Sequence, residues 1–140
     1  MKRHDAKTAK DFEEPSAELD TCAQEVVSSA LEVHRMLGPG FLETVYEQAL
    51  CVELSQRSIP FRRQLPIAIR YKGQPVGQGQ LDLLIRNHLI VELKAVETLA
   101  PIHAVQLRSY LKATRLRLGL LINFNVPLLH QGIRRIIFAP

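Results

Sequence analysis

The chain has 140 residues, about one domain, and its 46% hydrophobic and 23% charged content is ordinary for a globular core. No run approaches the ~18 apolar residues of a membrane-spanning helix, which excludes a helical membrane protein. A net charge of +4 favours an anionic partner weakly and identifies none.

The opening MKRHDAKTAKDFEEPSAE mixes charges without an apolar stretch. Residues 1–18 therefore read as a disordered charged tail and not a signal peptide, with residues 19–140 as a single domain. Thr21 and Gln24 form a capping box that offers a helix start. Cys22, Val26, Ala30, Val33 and Leu37 then recur at helical spacing until Gly38-Pro39-Gly40 stops the run. A second helix is expected over 42–56, with Leu42, Val45, Ala49, Val52 and Leu54 as its apolar contacts. Cys22 and Cys51 fall at apolar helical positions without a CxxC pair, as reduced core thiols of a cytoplasmic protein would.

After Ser58-Ile59-Pro60 the period becomes strand-like. Residues 61–71 read as an edge strand, because Pro66 cannot donate to a central ladder. Residues 75–85 and 89–95 follow as two more strands, the latter β-branched and mostly buried. A third helix runs from Pro101 to about Ala113, and strands at 118–124 and 133–138 complete the order α-α-β-β-β-α-β-β. Such a chain is expected to form an α/β domain with a central mixed sheet flanked by helices.

One hairpin carries a contradiction. LDLLIRNHLIVELK (81–94) is the most strand-like stretch, yet Asp82, Glu92 and Lys94 lie inside it. If Arg86-Asn87-His88 is a three-residue turn, residues whose numbers sum to 174 oppose each other. Asp82 then faces Glu92, with Lys94 on the same face beside Leu84 and Ile90. Two apposed carboxylates repel, and burial makes this worse, so a cation must compensate. Lys94 could serve in a salt bridge, but that leaves one acid over, and a buried ion pair is weak evidence for stability. A divalent metal is the other solution, since hard carboxylate oxygens are its preferred ligands.

Asp82 followed by Glu92-Leu93-Lys94 resembles the D…(D/E)xK core of the PD-(D/E)xK nuclease superfamily, with Leu81 where the name has proline. QLRSY (106–110) resembles the QxxxY motif of its recombination-nuclease branch, Gln106 and Tyr110 sharing one helical face. GFLETVYE (40–47) is similar to the pattern that names the GxxExxY family, through Gly40, Glu43 and Tyr46. VHRMLGPG before it, and VELKA and LINF after it, extend the likeness from Thr21 to Phe138.

The resemblance implies a restriction-endonuclease-like core and metal-dependent phosphodiester hydrolysis on nucleic acid, DNA favoured over RNA. It implies that Asp82 and Glu92 hold Mg²⁺ or Mn²⁺, with the Leu93 carbonyl as a further donor. Lys94 would orient the attacking water or stabilise developing charge, and Gln106 and Tyr110 would position Lys94 or the phosphate. Glu43 would be a further acid at the cleft, its structural alternative being interaction with the helix dipole. Glu47 is either a second acid there or part of a solvated stripe, and His103 would rim the site. With no separate recognition domain, substrate choice is expected to involve a homodimer or a partner protein. The rival readings are a binding module without cleavage and a purely structural acid–lysine cluster.

Overall fold

The structure, a computed structural model, describes residues 15–140. Residues 1–14 of the expected tail lie outside the described residues. Among the described residues three α-helices and five strands follow in the expected order: α1 (Ala17–Leu37), α2 (Glu43–Gln56), β1 (Phe61–Tyr71), β2 (Gln74–Ile85), β3 (Leu89–Lys94), α3 (Pro101–Thr114), β4 (Leu118–Asn123) and β5 (Ile133–Ile137), with a 3-10 turn at Leu129–Gly132.

α1 starts earlier than the Thr21–Gln24 box suggests. Ser16 is its N-cap and accepts from the Leu19 N–H at 3.1 Å. The Thr21 hydroxyl is already inside the helix, donating to the Ala17 carbonyl at 3.0 Å. Ser16 offers the same kind of oxygen one turn upstream, and burial of Leu19 favours the longer helix. The buried positions Cys22, Val26, Ala30 and Val33 are those of the sequence pattern.

α2 departs further from expectation. Leu42, Val45 and Val52 are exposed, and the buried face is Tyr46, Glu47, Leu50, Cys51 and Leu54. The periodicity allowed both stripes. Tyr46, fully buried and stacked on Phe124 with centroids 4.6 Å apart, anchors the one that is used.

The five strands form one sheet in the order β1-β2-β3-β4-β5. β3 and β4 are parallel and joined through α3, and the other neighbours are antiparallel. A large apolar core joins one face of the sheet to α1 and α2, with Leu83, Ile85, Val91 and Leu93 pointing into it. A smaller core joins the opposite face to α3 through Leu81, Leu84, Ile90, Leu107, Leu111 and Leu121. Helices on both faces of a mixed sheet are the α/β architecture the pattern called for.

The chain leaving β3 is held firmly. The Lys94 carbonyl accepts from the Phe124 N–H at 2.9 Å. Next along, the buried Asn123 side chain accepts from the Val96 N–H at 3.0 Å and donates to the Val96 carbonyl at 2.9 Å. Gly132 passes so close to Asn123 that an added Cβ would collide with the Asn123 carbonyl oxygen.

Candidate active site

The hairpin turn sets the register. Arg86 and Asn87 both adopt the left-handed conformation, with φ of 50° and 62°, and the His88 N–H closes on the Ile85 carbonyl at 3.0 Å. Leu83, Leu84 and Ile85 then pair with Val91, Ile90 and Leu89. The next opposed pair in this register is Asp82 and Glu92, but the ladder stops one step short of it. Each acid instead bonds the facing strand's backbone. Glu92 Oε2 accepts from the Asp82 N–H at 3.0 Å, and Asp82 Oδ2 accepts from the Leu93 N–H at 2.8 Å. The carboxylates take the place of carbonyls where the strands part.

β1 shares the irregularity. Its pairing with β2 skips Gln64 and Asp82, and Gln64 has φ of 51°. The alternation of faces slips at this point on both strands. Leu81 and Leu84 lie in one core although three apart, and Leu65 and Phe61 lie on opposite sides although four apart. The even-numbered face expected for Leu84 and Asp82 is thus interrupted beside the acid.

Gln64 links the acid to α2. Its amide donates to Glu47 Oε1 at 2.7 Å and approaches Asp82 Oδ1 at 3.5 Å. Glu47 also pairs with Arg63 at 2.7 Å and is only 3% exposed, so it is a buried anchor and no solvated stripe. Sequence reasoning missed Gln64 and Arg63, whose roles depend on a helix far away in sequence.

Glu43 opens α2, half-buried. Tyr46 fixes that opening: its hydroxyl donates to the Gly38 carbonyl at 2.6 Å and accepts from the Phe41 N–H at 3.1 Å. Gly40 between them has φ of 109°, a conformation that disfavours side chains. The G-x-x-E-x-x-Y spacing is therefore a brace: glycine allows the turn, tyrosine pins it, and the glutamate is carried to the start of the helix.

The electrostatics tie these groups together. Burial, then the Asp82 charge, pushes the Glu92 carboxyl up to about 8, with Glu43 adding to the rise. The Asp82 N–H bond and the Lys94 charge oppose it. The Glu43 carboxyl is also raised, by burial first and then by Asp82, with Lys94 again opposing. Yet among the described residues Lys94 makes no ion pair with any of these acids. The salt-bridge solution is not the one the fold adopts.

The other candidates divide. Gln106 is exposed and donates to the Tyr110 hydroxyl at 3.4 Å. The Tyr110 ring lies over β2, where a Cβ added to Gly79 would stand 2.8 Å from its Cε1. Both residues thus belong to one cluster on α3 near the Asp82 strand. His103 is engaged elsewhere, its Nδ1 accepting from the Ala100 N–H at 3.1 Å to cap α3.

Among the described residues no three His, Cys, Asp or Glu side chains form a ready-made metal cage. The donor set nevertheless fits a small hard cation. Asp82 and Glu92 each commit one oxygen to a backbone amide, which leaves Glu92 Oε1 and the loosely held Asp82 Oδ1 available. Mg²⁺ is commonly held by one or two carboxylates, with water and substrate phosphate completing its shell.

No curated protein matches the sequence. A family match covers residues 20–136, a span that includes all the site residues described above, and the mixed five-stranded sheet with flanking helices agrees with it. Members of that family are nucleases, whose substrate is nucleic acid and which generally use divalent metal ions. The chain belongs to the PD-(D/E)XK nuclease superfamily.

Proposed function

We propose that the protein hydrolyses phosphodiester bonds in DNA with Mg²⁺ or Mn²⁺, within the GxxExxY branch of the superfamily. The observation that carries this reading is the acid pair without a cationic partner. Asp82 and Glu92 are fixed by cross-strand amides, burial and the Asp82 charge raise the Glu92 carboxyl, and among the described residues Lys94 makes no ion pair. Asp82 and Glu92 would hold the ion. When bound, it supplies Lewis-acid polarisation of the phosphate and a water of lowered pKa. Lys94, next to Glu92 on the strand, stabilises negative charge developing on the phosphate. Glu43 contributes a further carboxylate, and Gln106 and Tyr110 act as positioning residues. The cytoplasm remains the proposed compartment; no helix among the described residues is long and apolar enough to cross a membrane. Assembly as a homodimer or with a partner protein belongs to the same proposal.

A second reading has its own observation. The two carboxylates satisfy backbone amides, so they could be structural caps in a nucleic-acid-binding module. Cleavage of single- and double-stranded DNA and RNA, assayed with Mg²⁺, Mn²⁺ and EDTA, separates the two. The nuclease reading expects metal-dependent cleavage, a rise of the melting temperature with metal, and loss of both in Asp82→Asn. Lys94→Ala should keep the metal-linked rise and lose cleavage. Wild type that neither cleaves nor responds to metal would leave the caps as the whole explanation.

A further inference from the structure

The β1–β2 hairpin outruns the rest of the sheet. β2 pairs with β3 only over Leu83–Ile85, whereas its pairing with β1 continues out to Tyr71 and Gln74. Residues 65–81 therefore leave the acid end of the sheet as a two-stranded ribbon. One side of its base is occupied, with Leu65, Ile67 and Leu81 packing against α3. The other side bears Pro66, Ala68, Arg70, Gln78 and Gln80, all exposed. The Gln80 amide donates to Gln64 at 2.9 Å, so this side runs continuously into the Asp82 site.

Its charge is one-sided. Residues 65–81 contain Arg70 and Lys72 and no Asp or Glu, and Arg62 adds a further positive charge at the ribbon's base, where Arg63 is paired with Glu47. We propose that the ribbon is a duplex-reading element that enters the major groove of B-form DNA. Gln78 and Gln80 offer amides to base edges there, and Arg70 and Lys72 meet phosphates. The inference rests on the nuclease reading for where the scissile phosphate lies, namely at Asp82 and Glu92.

Three physical arguments select this partner. A B-form major groove about 12 Å wide admits a two-stranded ribbon, and glutamine amides match adenine edges in it. The major groove of A-form RNA is too deep and narrow for side chains to read. Single strands are gripped by stacking on successive aromatic rings, and residues 65–81 offer a single one, Tyr71 at the tip, with Lys72 over its ring. Edge-to-edge pairing of two copies is disfavoured by like charge and by Pro66, which has no N–H to donate. A bulge between Ile69 and Arg70 adds the twist a groove-following ribbon needs.

A second basic groove, about 740 Å³ and lined by Arg108, Lys112 and Phe138 among others, is less suited. It lies by Ile137, which pairs with Leu118 and through it with Leu89, the end of β3 away from Lys94. The ribbon instead starts at the acids. Gln74 is eight residues from Asp82, about 26 Å along a strand, or roughly eight base pairs of duplex.

The test is binding by the full chain in EDTA, which separates recognition from cleavage. Anisotropy is measured on a duplex DNA of about three helical turns, on the same sequence as duplex RNA, and on single-stranded DNA. Wild type should bind the duplex DNA best. Arg70→Gln with Lys72→Gln should weaken it several-fold and reduce the slope of log affinity against log salt by about two. Gln78→Ala with Gln80→Ala should weaken duplex DNA binding and leave that slope unchanged. All four side chains are exposed, so melting temperatures should match wild type, apart from the small effect of losing the Gln80–Gln64 bond in the glutamine variant. Equal binding to the three nucleic acids, unchanged affinity in both double variants, or a wild-type dimer that these variants dissociate would overturn the proposal. If the binding pattern holds but metal elicits no cleavage, the ribbon stands and the nuclease reading falls. If both double variants bind and cut duplex DNA as wild type does, the ribbon falls and the nuclease reading stands.

Discussion

Near its turn, the β2–β3 hairpin satisfies its backbone by strand pairing, and Leu83, Leu84, Ile85, Leu89, Ile90 and Val91 are all buried. One step further along the same two strands, the ladder ends and carboxylates bond the amides instead. The turn end uses backbone for backbone and side chains for packing. The open end uses side chains for backbone, which leaves charge where packing would be. Charged hydrogen bonds explain how the acids are tolerated, being worth roughly 1.5–3 kcal/mol each. They do not remove the burial and the Asp82 charge that raise Glu92, and a cation that relieves both is what the open end favours.

The comparison breaks most visibly at Asp82. An asparagine oxygen can still accept from the Leu93 N–H, so Asp82→Asn should preserve the cap and remove the charge. Cleavage should fall by at least about 10²–10³-fold, the scale of losing one partner to transition-state charge, while thermal stability stays level or rises. A stability loss near 3–5 kcal/mol, the approximate cost of orphaning a buried charge, would mean that the charge itself is structural. At the turn end the reverse is expected. Leu83→Ala should cost about 2–5 kcal/mol in denaturant unfolding, with the remaining folded protein still responsive to metal.

The pH dependence of the metal-free protein sharpens the contrast. Between the usual carboxylate value of 4.5 and about 8, folded Glu92 keeps a proton that the unfolded chain releases. Stability in EDTA should therefore decrease as pH rises through this window, by on the order of 2–4 kcal/mol. Glu92→Gln should flatten the profile, and a flat wild-type profile would contradict the electrostatic account. The smallest effect is expected at the brace. Tyr46→Phe removes the bonds to Gly38 and Phe41, should cost about 1–2 kcal/mol, and should slow cleavage several-fold by loosening Glu43. Unchanged cleavage with lowered stability would remove Glu43 from the reaction.

The hairpin register was legible because a short turn and a period of two leave little freedom. The same holds for the order of elements, and for β1 as an edge strand, where Pro66 marks a missing donor. The start of α1 was ambiguous because Ser16 and Thr21 are equivalent local signals, and only the burial of Leu19 decides between them. The α2 face was read correctly at Ala49 and Leu54 and misread at Leu42, Val45 and Val52 for a related reason: Val45 and Val52 fit the period as well as Tyr46 and Leu50 do. Gln64 carries no local mark at all. Its left-handed backbone and its bonds to Glu47, Gln80 and Asp82 exist only once α2 and the hairpin have docked. Sequence pattern reports what each element must bury, and is silent about polar groups that meet between elements.

Gly132 has a consequence for how this protein varies. It touches no site residue, yet any side chain there would displace the Asn123 backbone, and Asn123 holds the chain that leaves Lys94. A screen of random variants for lost activity should therefore recover substitutions at 132 together with those at the acids. Their phenotype would mimic an active-site lesion although they arise on the far side of β4, and a genetic map drawn from such a screen would mark a residue that never meets the substrate.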